Sequence, residues 1–262
     1  EKAMCLSAKG SKITKVGIQH TTVPVFATDL FFYSAMSNQD DDLLNLPMPD
    51  YLACAGRIPA RLHKKYGFPS NRIIEWGAMR YQHLKGYMEC VTPWEERENI
   101  VVVTGGISFK ESYELASWLY LAFAEDTDMV VTFKGHPACP FEPILAEFSN
   151  TPDHFQISHE PVEHLLASAK ALFVSRATCA IEAIALQCPV IVPRLVSVVD
   201  MNPMHGISDL QVYVDNVNQL RTVVEGFLRS MQSPVPTASC RKFVEDYFKF
   251  VSSDEEFLST LP

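Results

Sequence analysis

The feature that most constrains the fold is a pair of apolar strands, each of which runs straight into a polar loop. Residues 130–133 (Val-Val-Thr-Phe) lead into Lys-Gly-His-Pro at 134–137, and residues 171–174 (Ala-Leu-Phe-Val) lead into Ser-Arg-Ala-Thr at 175–178. Short apolar strands that alternate with helical patterns are typical of parallel sheets. Because ligands of open parallel sheets bind at the carboxyl ends of the strands, we expect both polar loops to lie at a ligand site.

Strand and helix patterns alternate through most of the chain, which predicts the α/β class. Apolar periodicity lapses in a charged segment near residues 88–98, so we place a domain boundary there. The predicted domains are residues 1–90 and residues 91–262, with the two terminal helices in the second. We expect about five parallel strands in the second domain and three in the first, each domain being a Rossmann-like, doubly wound unit.

Composition and charge exclude several classes of protein. The formal net charge of -9 argues against a nucleic-acid partner, which needs a basic face. Seven cysteines without a C-x-x-C pair predict neither a disulfide framework nor a zinc ribbon, and reduced thiols fit a cytoplasmic protein. No apolar run reaches the length of a membrane span. The chain begins at Glu1, in sequence typical of a domain interior, so we expect a fragment of a longer protein.

His136 and Pro137 form the first candidate group of ligand-binding residues. Gly135 permits a close backbone approach, and His136 would then project into the crevice at the end of its strand. The alternative is a structural loop in which Pro137 ends the strand and the imidazole caps a backbone group.

Ser175, Thr178 and Glu182 form the second group. The hydroxyls and free N–H groups at a helix start are suited to an anion such as phosphate. The same Ser-x-x-Thr spacing is also typical of an ordinary helix N-cap. Glu182 lies one turn further along an otherwise apolar helix, where a buried carboxylate needs a partner. That partner is either a ribose hydroxyl of a nucleotide or a nearby Arg or Lys.

Three weaker signals complete the set of candidates. Gly105 and Gly106 follow a strand but lack the full G-x-G-x-x-G pattern, which favours a tight turn that lets a ligand or the other domain come close. His20 belongs to a polar cluster at a strand end in the first domain. The histidines show no H-E-x-x-H or comparable spacing, so we predict no metal site.

These residues together resemble a known family. The order of Gln-His at 19–20, His-Pro at 136–137 and Ser-x-x-Thr-x-x-x-Glu at 175–182, followed by Cys-Pro-Val-Ile-Val-Pro at 188–193, resembles the GT-B glycosyltransferases of bacterial surface carbohydrate assembly. The likeness is to the branch that uses CMP-activated sugars, the Kdo transferases and bacterial sialyltransferases. Thr21 after the Gln-His pair and Arg176 after Ser175 depart from the pattern of that branch.

The resemblance implies two Rossmann-like sheets that face a cleft, the N-terminal one being incomplete here. His136, Pro137, Ser175 and Thr178 would hold the CMP phosphate, with Glu182 near the nucleotide. The resemblance further implies inverting transfer to a glycan or glycolipid acceptor in capsule or lipopolysaccharide synthesis. It implies no metal and no cofactor besides the nucleotide-sugar, and a cytoplasmic location, with peripheral association of the full-length protein at the inner face of the membrane. His20 and Asp29 are the candidates for the base.

Other functions stay open at this point. A transferase that uses a UDP-sugar or CDP-glycerol shares the same two-domain plan. A sugar-nucleotide epimerase has a similar cleft and a similar helix with a glutamate. A non-catalytic domain that binds a glycan or another subunit is the remaining alternative.

Overall fold

A computed structural model describes residues 7, 12–24, 48–196, 201–206, 210–251 and 253–259. The chain divides into two compact units. The first contains residues 1–85 together with residues 242–262, and the second contains residues 86–241. The sequence analysis had grouped residues 242–262 with the second domain instead.

The second unit contains a six-stranded sheet and helices that alternate with its strands. The strands are β4 (Ile100–Thr104), β5 (Val130–Lys134), β6 (Phe155–Ile157), β7 (Ala171–Val174), β8 (Val190–Pro193) and β9 (Gln211–Val214). The helices are α3 (Phe109–Phe123), α4 (Glu142–Leu145), α5 (Val162–Ser168), α6 (Cys179–Ala185) and α7 (Val217–Arg229). Two further helices, α2 (Leu84–Glu89) and α8 (Thr237–Tyr247), cross the boundaries between the two units along the chain.

All strand pairs of this sheet are parallel, and their spatial order is β6-β5-β4-β7-β8-β9. The predicted α/β fold with parallel sheets is therefore confirmed. The predicted number of five strands is too low, because β9 was not recognised. At the edge of the sheet, only its last residue, Val214, is buried, and the segment lacks the continuous apolar run that marked the other strands.

Helices cover both faces of the sheet. Helix α3 packs against α4 and α7, whereas α5 packs against α6. Alternate strand residues such as Val101, Val103 and Phe173 join the core beneath α3, together with Leu115 and Leu119. Since side chains alternate across a strand, the intervening buried residues serve the other face. This two-sided burial explains why the central strands are apolar throughout.

Arg97 forms hydrogen bonds with three backbone segments on the amino side of this unit. The sequence analysis treated its surroundings as a charged boundary segment, but the side chain is buried. Its Nε donates to the carbonyl of Thr92 at 3.0 Å, and its two Nη atoms donate to the carbonyls of Ala169 at 2.9 Å and Leu186 at 2.8 Å. Ala169 and Leu186 are the C-caps of α5 and α6, where carbonyls lack partners within their helix. Burial is the main cause that lowers the pKa of Arg97.

The first unit contains three described strands, which form a parallel sheet in the order β1 (Val16–Ile18), β2 (Tyr51–Cys54) and β3 (Ile73–Glu75). Helix α1 (Arg57–Lys65) follows β2, and the short α9 (Asp254–Ser259) lies near the end of the chain. One face of the sheet packs around Leu52 and Phe68, and the other around Ala53 and Trp76.

Residues 247–251 complete the first unit. The Tyr247 hydroxyl accepts a hydrogen bond from the backbone N–H of Val23 at 2.9 Å. The Lys249 N–H donates to the carbonyl of Ala55 at 2.7 Å. A side chain at Gly56 would place its Cβ 2.4 Å from the carbonyl oxygen of Tyr247, so only glycine permits this close crossing. The segment thus packs over the loops that follow β1 and β2, which sequence periodicity alone does not reveal.

Within the described ranges, no helix combines the length and the apolar character that a bilayer crossing requires.

The burial of His63 on α1 predicts that the stability of the protein depends on pH. Burial lowers its pKa from 6.5 to about 4. As the pH falls from 6.5 toward 4, the unfolded chain takes up a proton that the folded protein refuses, so the free energy of unfolding falls. At pH 5.0 this loss should reach about 2 kcal/mol relative to pH 7.5. We expect the thermal unfolding temperature of the wild type to drop more between these pH values than that of His63→Leu.

The exposed His83 offers a matched control in the same unit. His83→Leu should retain the pH dependence of the wild type. An equal drop for the wild type and His63→Leu would contradict the assignment of the effect to His63.

Candidate functional site

The loops at the carboxyl ends of three neighbouring strands form the candidate site. Thr104, the last residue of β4, is in register with both Lys134 of β5 and Val174 of β7. The three strands therefore end at the same level, and residues 105, 135 and 175 begin their loops side by side. Because neighbouring strands lie about 4.8 Å apart, the loops after β5 and β7 start roughly 10 Å from each other.

The sheet order also reverses at this point. From β4 the chain builds outward through β5 and β6, and then returns to the other side of β4 with β7, β8 and β9. The crevice between the carboxyl ends of β4 and β7 is thus the topological switch point of the sheet. In open parallel sheets this crevice is the usual ligand site. We call the loops at residues 105–108 and 175–178 the switch-point loops.

His136 lies in a tight turn beside the switch-point loops. Its Nδ1 accepts a hydrogen bond from the N–H of Ala138 at 3.1 Å, and its carbonyl accepts one from Cys139 at 2.8 Å. With Nδ1 acting as the acceptor, the neutral ring carries its proton on Nε2. The side chain is exposed, so this Nε2–H is available to a ligand. The structure thus combines the predicted backbone-capping role with an open donor.

Glycine is required at the start of this turn and of the loop after β4. A Cβ at Gly135 would lie 2.9 Å from the Cα of Pro140. A Cβ at Gly105 would lie 2.6 Å from the Ser112 hydroxyl and 3.1 Å from the ring of Phe141. These close approaches show why the chain has glycine at both positions, whereas the predicted tight turn at Gly105 and Gly106 stays a prediction.

A buried carboxylate joins the start of α3 to the switch-point loop after β7. Glu111, in the first turn of α3, is only 2% exposed. Its Oε1 accepts a hydrogen bond from the Ser175 hydroxyl at 2.5 Å. Its Oε2 accepts from Nε of Arg176 at 2.7 Å and pairs with Nη2 of the same side chain at 2.7 Å. The carboxylate thus receives donors from a loop 64 residues further along the chain.

Ser175, a predicted phosphate ligand, is paired with Glu111 in the structure, and its role toward a phosphate stays a prediction. Its side chain is buried, and its only hydroxyl proton is directed to Glu111. A hydroxyl has a single proton to donate, so Ser175 in this conformation has none left for a phosphate.

Thr178 and Glu182 lie on either side of the start of α6. Thr178 is the N-cap residue, but it has helical backbone angles and its side chain makes no capping hydrogen bond. The predicted side-chain N-cap is therefore absent at this residue. Glu182 is buried one turn further on.

Burial and then the Glu182 charge raise the pKa of the neighbouring Cys179 thiol. Cys179 also lies 3.0 Å from the Thr104 hydroxyl and is not a candidate nucleophile.

In the first unit, His20 follows β1 and is exposed. The preceding Gln19 shapes this loop, because its Oε1 accepts from the N–H of Ala55 at 2.9 Å and its Nε2 donates to the carbonyl of Thr21 at 2.7 Å. Asp29, the other candidate base, lies outside the described residues. The roles of both residues stay predictions, as does the cleft between the two domains.

The second unit has a large cavity outside the candidate site. A cavity of about 760 Å³ is lined by residues from the end of α3 and the segment before β5, including Glu125, Asp126 and Arg221. It therefore lies toward the amino ends of the strands, away from the switch-point loops. Among the residues that the structure describes, no three His, Cys, Asp or Glu side chains cluster in a way that could hold a metal ion.

Glu111 and Arg176 are the site residues that sequence reasoning missed. Ser108 and Glu111 have the S-x-x-E spacing of a capping box, which suggests a local role for the glutamate. Ser108 does accept a hydrogen bond from the Glu111 N–H at 3.4 Å, but the carboxylate turns toward the loop after β7 instead. The position of Arg176, two residues beyond an apolar strand, is the signal that would have singled it out.

Comparisons with known proteins identify the fold. A scan against protein-family models finds no match, and no curated protein sequence matches the chain. Among solved structures, HepE of Anabaena in complex with UDP and glucose matches 98% of this chain and 74% of its own, with a TM-score of 0.55 and 10% identity.

Two further structures show the same similarity. The UDP-GlcNAc 2-epimerase of Methanocaldococcus jannaschii, in complex with UDP-GlcNAc and UDP, matches 93% of this chain and 71% of its own, with a TM-score of 0.53 and 17% identity. MnaA of S. aureus with UDP matches 93% and 69%, with a TM-score of 0.52 and 14% identity. Similarity at this level shows a shared fold, and the predicted GT-B-like fold class is confirmed. The CMP-sugar branch of the resemblance stays a prediction.

The packing at Gly105 predicts a defined loss of stability. Gly105→Ala should lower the free energy of unfolding by about 1–3 kcal/mol, because the new methyl group overlaps the Ser112 hydroxyl and the Phe141 ring. Adding Ser112→Ala removes the closest atom and should restore part of the loss. Denaturant unfolding of the single and double variants measures both effects.

Gly226 on α7 is the matched control, since a Cβ there meets nothing within 4 Å. Gly226→Ala should raise the free energy of unfolding by up to about 1 kcal/mol through helix propensity. The packing account fails if Gly105→Ala is as stable as the wild type.

Proposed function

We propose that this chain is the nucleotide-sugar-binding part of a glycosyltransferase, with the nucleotide phosphate bound at the switch-point loops. The transferase would act in bacterial surface carbohydrate synthesis, on a glycan or glycolipid acceptor, with inversion at the transferred sugar. The enzyme would work in the cytoplasm, with the full-length protein associating peripherally with the membrane.

One observation carries the proposal. The exposed Nε2–H of His136 and the loop that contains Arg176 follow strands that end at the same level on either side of β4. A phosphate attracts such donors, and donors already fixed by the fold stabilise the charge that develops on a leaving nucleotide. Glu182, one turn into α6, would then contact the ribose. The net charge of -9 argues against a nucleic-acid partner but leaves a small anionic ligand such as a nucleotide open, because a few local donors are enough to bind it.

The donor is the least constrained part of the proposal. The motif order favours a CMP-sugar, which has one phosphate between nucleoside and sugar. The structures with the same fold contain UDP, which favours a donor with two phosphates. We keep the CMP-sugar as the first hypothesis and the UDP-sugar as its direct alternative. A CDP-glycerol donor is tested by the same experiment.

His20 and Asp29 are the proposed bases for the acceptor hydroxyl. The protein atoms at the switch-point loops would neutralise the leaving nucleotide, so the proposed reaction runs without a metal ion and without a further cofactor.

A sugar-nucleotide epimerase is the second candidate, because one solved structure with this fold is a UDP-GlcNAc 2-epimerase. The two functions separate in a single assay. Incubation with UDP-GlcNAc and no acceptor, followed by NMR, reveals inversion at C2 of the sugar for an epimerase. A transferase should leave the sugar configuration intact under these conditions.

Thermal shifts test nucleotide binding. A ligand that binds only the folded protein raises its unfolding temperature by mass action. With CMP, UDP, CDP and GDP at equal concentration, we expect CMP to give the largest shift. A larger shift with UDP would select the UDP-sugar alternative. Equal shifts with all four nucleotides, or none with any, would contradict the proposed nucleotide-sugar function and favour a non-catalytic binding domain.

His136→Ala should remove most of the shift, since losing one charge-assisted hydrogen bond costs roughly 1.5–3 kcal/mol, or about ten- to a hundredfold in affinity. Glu182→Gln should weaken binding less, because the amide retains part of the proposed ribose contact. The exposed His164 on α5 provides the control. His164→Ala should leave the shift unchanged.

A further inference from the structure

We propose that Arg176 binds the nucleotide phosphate through its Nη1 atom, and that buried Glu111 is the positioning residue that holds Arg176 in place. This inference rests on the proposed nucleotide-binding function and names a residue that the motif resemblance does not contain.

The first step of the argument is the cost of burying Glu111. A carboxylate that is 2% exposed requires strong partners, because removing an ionised group from water is unfavourable unless it is paired. Ser175 and Arg176 supply three contacts between 2.5 and 2.7 Å. The contacts that pair the buried carboxylate also fix the position of the guanidinium.

The second step concerns the part of the guanidinium that Glu111 does not use. Nε and Nη2 both face Oε2 of Glu111, so the plane of the group is fixed and the N–H groups of Nη1 point away from the carboxylate. Within the described part of the chain, Nη1 has no hydrogen-bond or ion-pair partner. The Arg176 side chain is 33% exposed, so part of it is accessible to a ligand.

The third step is location. Glu111 belongs to the helix that follows β4, and Arg176 belongs to the loop that follows β7, so their contact spans the switch point of the sheet. A ligand in this crevice meets the open edge of Arg176 from one strand end and His136 from the other side of β4. Donors from both sides suit the several oxygens of a phosphate.

The fourth step compares Arg176 with Ser175. The Ser175 hydroxyl proton is committed to Glu111, and its remaining lone pairs repel an anion. Arg176 therefore takes over the donor role that the motif resemblance assigns to the serine. If the ion pair were purely structural, Arg176 would make the same Nε and Nη2 contacts, but its replacement would not selectively weaken binding of a phosphate-bearing ligand.

That difference defines the experiment. Titration calorimetry gives the Kd of UDP against uridine, and of CMP against cytidine, for the wild type and Arg176→Ala. We expect Arg176→Ala to weaken the nucleotide that the wild type binds by about ten- to a hundredfold. The affinity for the matching nucleoside should stay within about twofold, since it lacks the phosphate. Equal weakening of nucleotide and nucleoside, or no weakening, would overturn the inference.

Additional variants separate positioning from folding. Glu111→Gln removes the charge that holds Arg176, so it should weaken nucleotide binding less than Arg176→Ala and leave nucleoside binding unchanged. Arg176→Lys keeps a charge but loses the fork geometry, and should restore only part of the affinity. Arg176→Ala leaves the buried charge of Glu111 without its partner, and the variant could fail to fold for that reason. The double variant Arg176→Ala, Glu111→Gln removes that charge and should show the same loss of nucleotide affinity with unchanged nucleoside affinity.

Arg221→Ala is the matched control, since Arg221 forms surface ion pairs on α7 and should leave every Kd unchanged. The outcomes also separate the two proposals. A wild type that binds none of the nucleotides overturns the proposed function together with this inference. Nucleotide binding that is the same in Arg176→Ala overturns this inference alone.

Discussion

A carboxylate buried at the reversal point of a parallel sheet is the constraint around which the candidate site is organised. Glu111 is paired by Ser175 and Arg176 across the gap between the helix after β4 and the loop after β7. The pairing requires that β4 and β7 be neighbours and that they end at the same level, which their register provides. The order and register of the strands therefore bring Glu111 and Arg176 together at the carboxyl edge of the sheet.

The electrostatics of this edge are local. The chain has a formal net charge of -9, yet an anionic ligand responds mainly to the donors within a Debye length of its binding site. Glu111 and Arg176 together are neutral, so the guanidinium contributes directed N–H groups more than an excess of charge. His136 is arranged in the same way, because its own backbone turn occupies Nδ1 and leaves Nε2–H exposed. Both side chains are fixed before any ligand arrives, which lowers the entropy lost on binding.

The sequence predicted those features that depend on local patterns. Apolar strands buried on both faces and their alternation with helices identify the parallel sheet, and the polar residues after β5 and β7 fall on the same edge of it as expected. The pairing of Glu111 with Arg176 was not predictable, because it joins residues 65 positions apart and is masked by a capping-box spacing. The grouping of residues 247–251 with the first unit depends on contacts of Tyr247 and Lys249 with Val23 and Ala55. Such long-range contacts leave no periodic signal in the chain.

A crystal structure of the protein soaked with CMP and, separately, with UDP tests the central claim most directly. The account predicts a phosphate oxygen within hydrogen-bond distance of Nη1 of Arg176, in the crevice between β4 and β7, with Glu111 still paired to Nε and Nη2. A nucleotide bound with its phosphate elsewhere, such as at the amino ends of the strands, and with Nη1 still free would contradict it.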